Sequence, residues 1–266
     1  MKGKEKDVPF IEKKIVSGNL VEIEQYFAPH IGKQLVRSPN QSPTPEKQEE
    51  LNTVHARKKL VRLINTNFSH KNKDLFATFC HQKEVTEQEA KKEIEKLIRA
   101  VRKYRREHGL PELKYILITE HQGKWHHHLI LNNMPIEDLF ELWEHGRTQV
   151  SILDDCYSYK DLAVYLTTDE KSSRKKNATP QEQDNAKEPR RKHAKRWSCS
   201  RNLEKPKEFP PKIISKVSCG DPKAPKGYRL LPDWVKGCDS AGNPYMAYSY
   251  VIETPRAGNN KKKRRC

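Results

Sequence analysis

The segment Tyr115-Ile-Leu-Ile-Thr-Glu-His-Gln-Gly-Lys-Trp-His-His-His-Leu-Ile-Leu131 decides the fold of this chain. Two apolar runs flank a short polar turn that contains Gly123, and this pattern predicts a β-hairpin within a sheet. Because alternate residues of a strand point to the same face, His126 and His128 project together and His127 projects the other way. Two imidazoles side by side on a rigid strand can offer two nitrogens to a divalent metal ion.

The register of this hairpin decides whether a carboxylate joins the two imidazoles. A three-residue loop from Gln122 to Lys124 sets Glu120 opposite His126, whereas a slip of one residue turns Glu120 away. Two histidines and one carboxylate suit Mn²⁺ or Mg²⁺ and leave positions open for substrate oxygens. The alternative is a chance polar cluster on an exposed strand, but the apolar segment Leu129 to Leu131 favours a half-buried strand.

Composition and charge narrow the class of protein. The chain has 266 residues, which suffice for one domain with extensions. It carries 52 Lys and Arg against 35 Asp and Glu, and the formal net charge of +17 favours a polyanionic partner, usually nucleic acid. A membrane surface is the competing polyanion, but no apolar run approaches the roughly 20 residues of a spanning helix, and no signal peptide opens the chain. We therefore expect a soluble, intracellular protein without a membrane partner.

The two ends of the chain predict extensions around one main domain at residues 54–206. Residues 1–53 contain a hairpin or edge strand within Ile15 to Phe27, and then a linker from Ser38 to Glu50 that is rich in Pro, Ser, Gln and Glu. Residues 207–266 predict an irregular extension with one strand at Tyr245 to Val251 and a basic, disordered tail.

The main domain alternates helical and strand patterns. The predicted strands besides the hairpin are Asp74 to Cys80 and Gln149 to Leu153. The predicted helices are His55 to Asn67, a helix capped by Thr86 and Glu89 and ended by Gly109, Ile136 to His145, and Tyr157 to Asp169. A strand, a helix and a further strand in this order predict an α+β sheet with a crossover helix. Residues 171–196 hold ten Lys and Arg against three Asp and Glu, without Leu, Ile, Val or aromatic residues before Trp197, and predict a flexible basic loop.

Tyr165 is the best candidate nucleophile. It lies on the predicted helix after the hairpin, with Thr168 and Asp169 on the same helix face. A tyrosine hydroxyl is a poor nucleophile at neutral pH because its ordinary pKa is near 10, but a divalent metal that polarises a phosphodiester makes the attack feasible. The alternative is a packing tyrosine between Leu162 and Leu166, and spacing alone does not exclude it.

An ordered series of segments resembles the HUH endonucleases, and more narrowly the replication-associated proteins similar to the filamentous-phage gene II protein. The matching segments are Arg57 to Phe68, Asp74 to Phe79, Lys114 to Glu120, Trp125 to Leu131, Leu142 to Arg147, Asp161 to Thr168 and Arg196 to Pro206. A lone His-x-His pair is a weak signal, whereas this series in the same order across residues 55–206 is a strong one.

The resemblance implies an α+β fold with an antiparallel-rich central sheet and flanking helices, a variant of the RRM/ferredoxin-like arrangement. It implies an initiator of rolling-circle DNA replication that acts on single-stranded DNA at an origin, in the cytoplasm of a bacterial host cell, with the host helicase and polymerase as further partners. In such an enzyme His126 and His128, with Glu120, hold Mn²⁺ or Mg²⁺, and Tyr165 attacks one phosphate of the DNA. The implied product is a 5′-phosphotyrosyl link and a free 3′-OH, and the link allows the strand to be rejoined without ATP.

One departure from the family pattern concerns the residue three positions after the nucleophile. The family usually has Lys there, whereas this chain has Thr168, and Lys171 is too far round the helix to replace it. Tyr157 does have Lys160 at this spacing, but the residues around Tyr165 agree better with the family. The missing Lys motivates an alternative function, a catalytically decayed DNA-binding regulator that keeps the fold.

Basic and aromatic residues are the candidates for contact with single-stranded DNA. The first set is Arg147, Lys192, Arg196, Trp197 and Arg201. Trp125, Trp143 and Tyr159 are further stacking candidates, because stacking of a base on an aromatic ring is worth roughly 1–3 kcal/mol. Core packing is the alternative for each aromatic residue, and a solvated surface position is the alternative for each arginine.

Overall fold

The computed structural model describes residues 10–28, 46–167, 196–239 and 241–252. The chain forms two compact units, a central unit from Pro43 to Lys205 and a terminal unit that combines Met1–Ser42 with Pro206–Cys266. Several predicted features lie outside the described residues. They are the first part of the linker, Thr168, Asp169, Lys171, the basic loop up to residue 195 with Lys192, and the basic tail.

The described helices are α1 (Glu46–Asn67), α2 (Glu87–Glu107), α3 (Ile136–Glu141) and α4 (Lys160–Thr167). The described strands of the central unit are β3 (Leu75–Cys80), β4 (Tyr115–Gln122), β5 (Lys124–Leu131), β6 (Thr148–Ile152) and β7 (Ser198–Cys199). Those of the terminal unit are β1 (Phe10–Ser17), β2 (Leu20–Phe27), β8 (Lys207–Glu208), β9 (Lys212–Ile214), β10 (Tyr228–Leu230), β11 (Val235–Cys238) and β12 (Pro244–Ile252). The predicted α+β class with antiparallel sheets is confirmed.

The described part of the central unit holds a five-stranded antiparallel sheet in the order β6-β3-β5-β4-β7. Strands β3 and β4 are both antiparallel to β5, which lies between them, so β3 and β4 run parallel to each other. Parallel strands need a crossover connection, and helix α2 provides it. The predicted strand–crossover helix–strand arrangement is therefore present.

Each face of the central sheet packs against its own pair of helices. On one face, apolar residues of α2 and α3 pack against Leu129 and Leu131 of β5. On the other face, α1 and α4 pack against Ile116 and Ile118 of β4 and Ile130 of β5. This second face is the one to which alternation assigns Glu120, His126 and His128. The candidate metal ligands therefore share a face with α1 and α4.

Helix α2 follows its sequence signals closely. The Thr86 hydroxyl accepts a hydrogen bond from the backbone N–H of Glu89, and the Glu89 carboxylate accepts one from the backbone N–H of Thr86, which completes the predicted capping box. The predicted apolar stripe is buried, and Gly109 follows the helix with φ 63°. The stripe consists of Ala90, Ile94, Leu97, Ile98 and Val101.

The boundaries of the other helices differ from the sequence predictions. Helix α1 begins at Glu46 rather than His55, so the linker prediction is wrong for residues 46–50. Helix α3 ends at Glu141 rather than His145, because Gly146 passes so close to β3 that a Cβ there would lie 2.3 Å from the carbonyl oxygen of Cys80. Helix α4 begins at Lys160 rather than Tyr157. The Tyr159 N–H donates to Asn65 Oδ1 of α1 at 3.2 Å and its ring is buried, so the chain turns into the helix only after this anchor.

The described part of the terminal unit holds a seven-stranded antiparallel sheet. Strands β1 and β2 form the predicted hairpin with its turn at Gly18-Asn19, where Gly18 has φ 58°. Strand β12 covers the predicted strand Tyr245 to Val251 and pairs with β2, so the two ends of the chain build one sheet. Within the described residues, no helix is long and apolar enough to cross a membrane.

Candidate metal centre and nucleophile

The hairpin formed by β4 and β5 sets the register of the candidate ligands. Glu120 pairs with His126, as the sequence predicts. The loop is shorter than predicted, because Gln122 and Lys124 still pair and leave Gly123 alone at the turn with φ 69°. A positive φ is easily adopted by glycine, so Gly123 allows this tight turn without moving the register.

Three donor atoms converge on one face of the hairpin. Glu120 Oε2 lies 3.5 Å from His126 Nε2 and 3.8 Å from His128 Nε2. The three donor atoms of the group all lie within 4.8 Å of one another. Glu120 and His128 are buried, whereas His126 is half-buried. The group therefore lies at the border of the core, open to solvent on the side of His126.

The chemistry of this donor set fits a divalent cation. A carboxylate oxygen and two unprotonated imidazole nitrogens are all acceptors, so they repel one another unless a positive charge lies among them. Two histidines and one carboxylate are a known ligand set for divalent metals with open positions. Glu120, His126 and His128 could thus hold such an ion together.

Neighbouring residues fix the orientation of His128. Thr78 Oγ1 on β3 lies 3.1 Å from His128 Nδ1, and the Phe76 ring stacks on the His128 ring at 5.8 Å between centroids. An imidazole that presents a bare Nε2 carries its proton on Nδ1, so His128 then donates to the Thr78 hydroxyl. This is the outer hydrogen bond that metal-ligating histidines usually make. The sequence analysis did not identify Thr78, although its place on a strand next to β5 follows from the pairing of β3 and β5.

Tyr165 lies beside this group. Its ring centroid is 5.5 Å from that of His128, with 70° between the ring planes. The side chain is 60% exposed, whereas Ala163 and Leu166 of the same helix are buried. Helix α4 thus packs through other residues, and Tyr165 faces outward beside His128. This exposure disfavours the alternative of a tyrosine that packs the core.

The competing tyrosine has a different position. Tyr157 is exposed and precedes α4, so Tyr157 and Lys160 do not share a helix turn as the formal spacing match requires. Near the other end of α4, Arg57 Nε donates to Thr167 Oγ1 at 3.0 Å, so a cation of α1 contacts the helix just before Thr168.

A second group of polar residues lies on the opposite face of β5, behind the candidate ligands. His127 is fully buried, its Nε2 is 3.0 Å from His81 Nε2, and its Nδ1 is 2.9 Å from Thr119 Oγ1. His81 Nδ1 lies 3.0 Å from Glu93 Oε2. Burial, together with the neighbouring histidines, lowers the pKa of His127 to about 3, and burial also lowers the pKa of His81. Both rings are therefore neutral at physiological pH.

The candidate DNA-binding residues do not form one patch with the metal group. Arg147 is exposed just before β6, and Arg201 is exposed just after β7. These strands are the opposite edges of the sheet, four strand spacings or roughly 19 Å apart. Arg196 Nη2 donates to Thr53 Oγ1 of α1 at 2.6 Å, and Trp197 packs partly against the core below α1 and α4.

The further aromatic candidates divide by burial. Trp143 and Tyr159 are buried in the two cores of the central unit, at 5% and 6% exposure, which favours packing over base stacking. Trp125 is half-buried at the start of β5 and contacts His121, with ring centroids 4.8 Å apart. Of the four tryptophan and tyrosine candidates, Trp125 and Trp197 retain exposed surface.

Comparison with known proteins places this segment in a functional context. Residues 74–170 match the model of a family of replication-associated proteins, described by its members ORF2 and the phage gene II protein. Searches of curated proteins and of solved structures returned no match. The matched residues include β3, α2, the β4–β5 hairpin and α4. The match confirms the resemblance to replication-associated proteins similar to the phage gene II protein and supports a role in replication by a rolling circle.

Proposed function

We propose that the chain is an initiator of rolling-circle DNA replication that nicks and rejoins single-stranded origin DNA. The observation that carries the proposal is the 5.5 Å distance between the rings of Tyr165 and His128, since it joins an exposed phenol to a donor set suited to a divalent cation. The family match supports the same process.

In this proposal Glu120, His126 and His128 hold Mn²⁺ or Mg²⁺. When bound, the cation supplies the positive charge that draws a DNA phosphate toward the group and makes its phosphorus more electrophilic. Thr78 holds the His128 ring in orientation, and Phe76 supports its face. Tyr165 projects from α4, whose buried residues fix the helix on the sheet.

The chemical step is a transesterification. The Tyr165 oxygen forms a bond to phosphorus, the bond from phosphorus to the 3′ oxygen breaks, and the proton lost by the phenol is balanced by the proton gained at the 3′ oxygen. One phosphodiester is exchanged for another, so the reverse attack by a 3′-OH rejoins the strand without an outside energy source.

The test is formation of a covalent adduct with a single-stranded oligonucleotide in the presence of Mn²⁺. Wild-type protein should form the adduct, and Tyr165→Phe should abolish it while oligonucleotide binding persists. Tyr157→Phe is the matched control, because it removes the same hydroxyl from an exposed tyrosine outside α4. An adduct in Tyr165→Phe that is lost in Tyr157→Phe would reassign the nucleophile.

The alternative function is a decayed DNA-binding regulator that keeps the fold, and the Thr168 departure motivates it. It predicts oligonucleotide binding that weakens steeply with salt and no cleavage with any divalent metal. Binding without any adduct, across Mn²⁺ and Mg²⁺ and several origin-like hairpins, would favour this alternative.

A further inference from the structure

The buried polar group behind β5 has one consistent order of protons. Glu93 is a carboxylate at the surface end of the group, with a side chain 20% exposed, and a carboxylate only accepts hydrogen bonds. His81 Nδ1 lies 3.0 Å from Glu93 Oε2, off the ideal line of a hydrogen bond, since Oε2 has no well-directed donor. A bare Nδ1 at this distance would set two acceptors against each other, so the His81 proton lies on Nδ1.

The remaining protons follow from this first one. With its proton on Nδ1, neutral His81 has a bare Nε2, which accepts from His127 Nε2 at 3.0 Å. His127, also neutral, then has a bare Nδ1, which accepts from the Thr119 hydroxyl at 2.9 Å. The order is Thr119 to His127 to His81 to Glu93, and each donor has an acceptor. The opposite order fails at Glu93.

This chain of contacts holds β5 at the point where it carries the metal ligands. His127 is the residue between His126 and His128, and its ring projects to the opposite face. The segment of His81 is itself fixed to the start of β5, because the His81 N–H donates to the Trp125 carbonyl at 3.2 Å and Lys124 Nζ donates to the Gln82 carbonyl at 2.8 Å. Helix α2 is thereby joined to the back of the ligand-bearing strand.

We propose that Glu93 and His81 are positioning residues for the metal centre, which act through the buried ring of His127. They fix this ring in one tautomer and one orientation, and so restrict rotation of the backbone that aims His126 and His128 at Glu120. The inference rests on the proposed function only in so far as that function requires a metal at these three residues. Neither histidine changes charge in this role.

The experiment measures Mn²⁺ affinity of the full chain by calorimetry. Glu93→Ala should raise the dissociation constant roughly tenfold, the lower end of the range for residues outside the ligand shell. Glu93→Gln should stay near the wild-type value, because its amide oxygen can still accept from His81 Nδ1. Glu95→Ala is the matched control on the same helix, since Glu95 contacts only Arg99 at the surface among its described partners, and it should leave the affinity unchanged.

A second variant separates positioning from general destabilisation. Leu97→Ala removes a core side chain of α2 that is not part of the chain of contacts. It should lower Tm without changing Mn²⁺ affinity, whereas Glu93→Ala should change the affinity at a temperature where the protein is fully folded. Equal affinities of wild type and Glu93→Ala would overturn the inference. No Mn²⁺ binding by wild type would instead contradict the proposed metal site.

Nitrogen NMR of labelled histidines gives a readout that is independent of metal. The account predicts His81 protonated on Nδ1 and His127 protonated on Nε2 in the wild-type protein. In Glu93→Ala the His81 ring should lose this preference. Finding His127 protonated on Nδ1 in the wild type would contradict the proton order, even if Glu93→Ala proved too unstable to titrate.

Discussion

Among single residues, Glu120 has the clearest expected effect on metal binding. It contributes the only carboxylate of the donor set found among the described residues, and its Oε2 faces both histidine nitrogens. Glu120→Ala removes this negative charge and one ligand, so Mn²⁺ affinity should fall by at least about tenfold, as expected for loss of a direct ligand compared with an outer-shell residue. Calorimetry on the folded variant measures it, and an unchanged dissociation constant would remove Glu120 from the site.

Thr78 tests the orientation of one ligand rather than its presence. Thr78→Val keeps the side-chain shape but removes the oxygen that faces His128 Nδ1. We expect Mn²⁺ affinity to weaken roughly tenfold, as for other residues that orient metal-ligating histidines. Thr78→Ser keeps the hydroxyl and should bind Mn²⁺ like the wild type. Equal loss in both variants would indicate packing at Thr78 rather than a hydrogen bond.

At this scale the sequence predicted the ligands and missed their support. Glu120, His126 and His128 lie on one hairpin, so strand alternation and the position of Gly123 suffice to bring them together. His81 and Glu93 lie on other elements, and their approach to His127 depends on how α2 packs on the sheet. Local patterns carry no information on such packing, so this group could not be predicted.

Among the helices, α4 depends on the anchor at Tyr159, and this anchor should respond to alkaline pH. Burial raises the pKa of Tyr159 from its ordinary value of 10.0 to about 12. Between these values the unfolded chain loses the phenolic proton while the folded chain keeps it, so this contribution to stability is present below pH 10 and is lost as the pH rises toward 12.

Tyr159→Phe isolates this effect. The free energy of unfolding of the wild type, measured relative to the variant, should fall by on the order of 2 kcal/mol between about pH 10 and about pH 12. At neutral pH the variant should be less stable by about 1 kcal/mol, because the hydrogen bond from the Tyr159 hydroxyl to the Asp154 carbonyl is lost. Tyr157→Phe, at an exposed tyrosine, is the control. A difference that does not vary with pH would show that Tyr159 is solvated.

At the element scale, existence was easier to predict than extent. Helix α2 has a capping box, an apolar stripe and a terminal glycine, and both its ends follow from the sequence. Helix α4 begins later than predicted, because Asn65 of α1 holds the Tyr159 N–H and a distant residue thus determines the start. In the terminal unit, short strands such as β8 and β9 pair with β1 and have no alternation long enough to recognise.

For the whole molecule, the net charge of +17 predicts salt-dependent binding to single-stranded DNA. If Arg147 and Arg201 each contact one phosphate, Arg147→Gln and Arg201→Gln should each reduce the slope of log affinity against log salt by about 0.7. Because the two residues lie at opposite edges of the central sheet, their effects should add. Arg99→Gln, at an exposed residue paired with Glu95 on α2, serves as the control. Slopes equal to that of Arg99→Gln would exclude both arginines from the DNA contact.

The organisation of the whole chain was the hardest feature to predict. The charge of the chain and the ordered segments identified the process, and the family match over residues 74–170 agrees with them. The pairing of β12 with β2 joins residues more than two hundred positions apart, as in the contact of Tyr248 with Ile23. Such long-range pairing has no local signal, so the C-terminal strands were not expected to complete a sheet begun at the N-terminus.

The most direct measurement identifies the residue that becomes linked to DNA. The wild-type protein is incubated with Mn²⁺ and a single-stranded origin oligonucleotide, digested, and analysed by mass spectrometry for a peptide that carries a 5′-phosphonucleotide. The account predicts the modification on Tyr165, and its loss when His126 and His128 are replaced by alanine. A modified peptide that contains Tyr157 instead, or an adduct that persists without both histidines, would contradict the central claim.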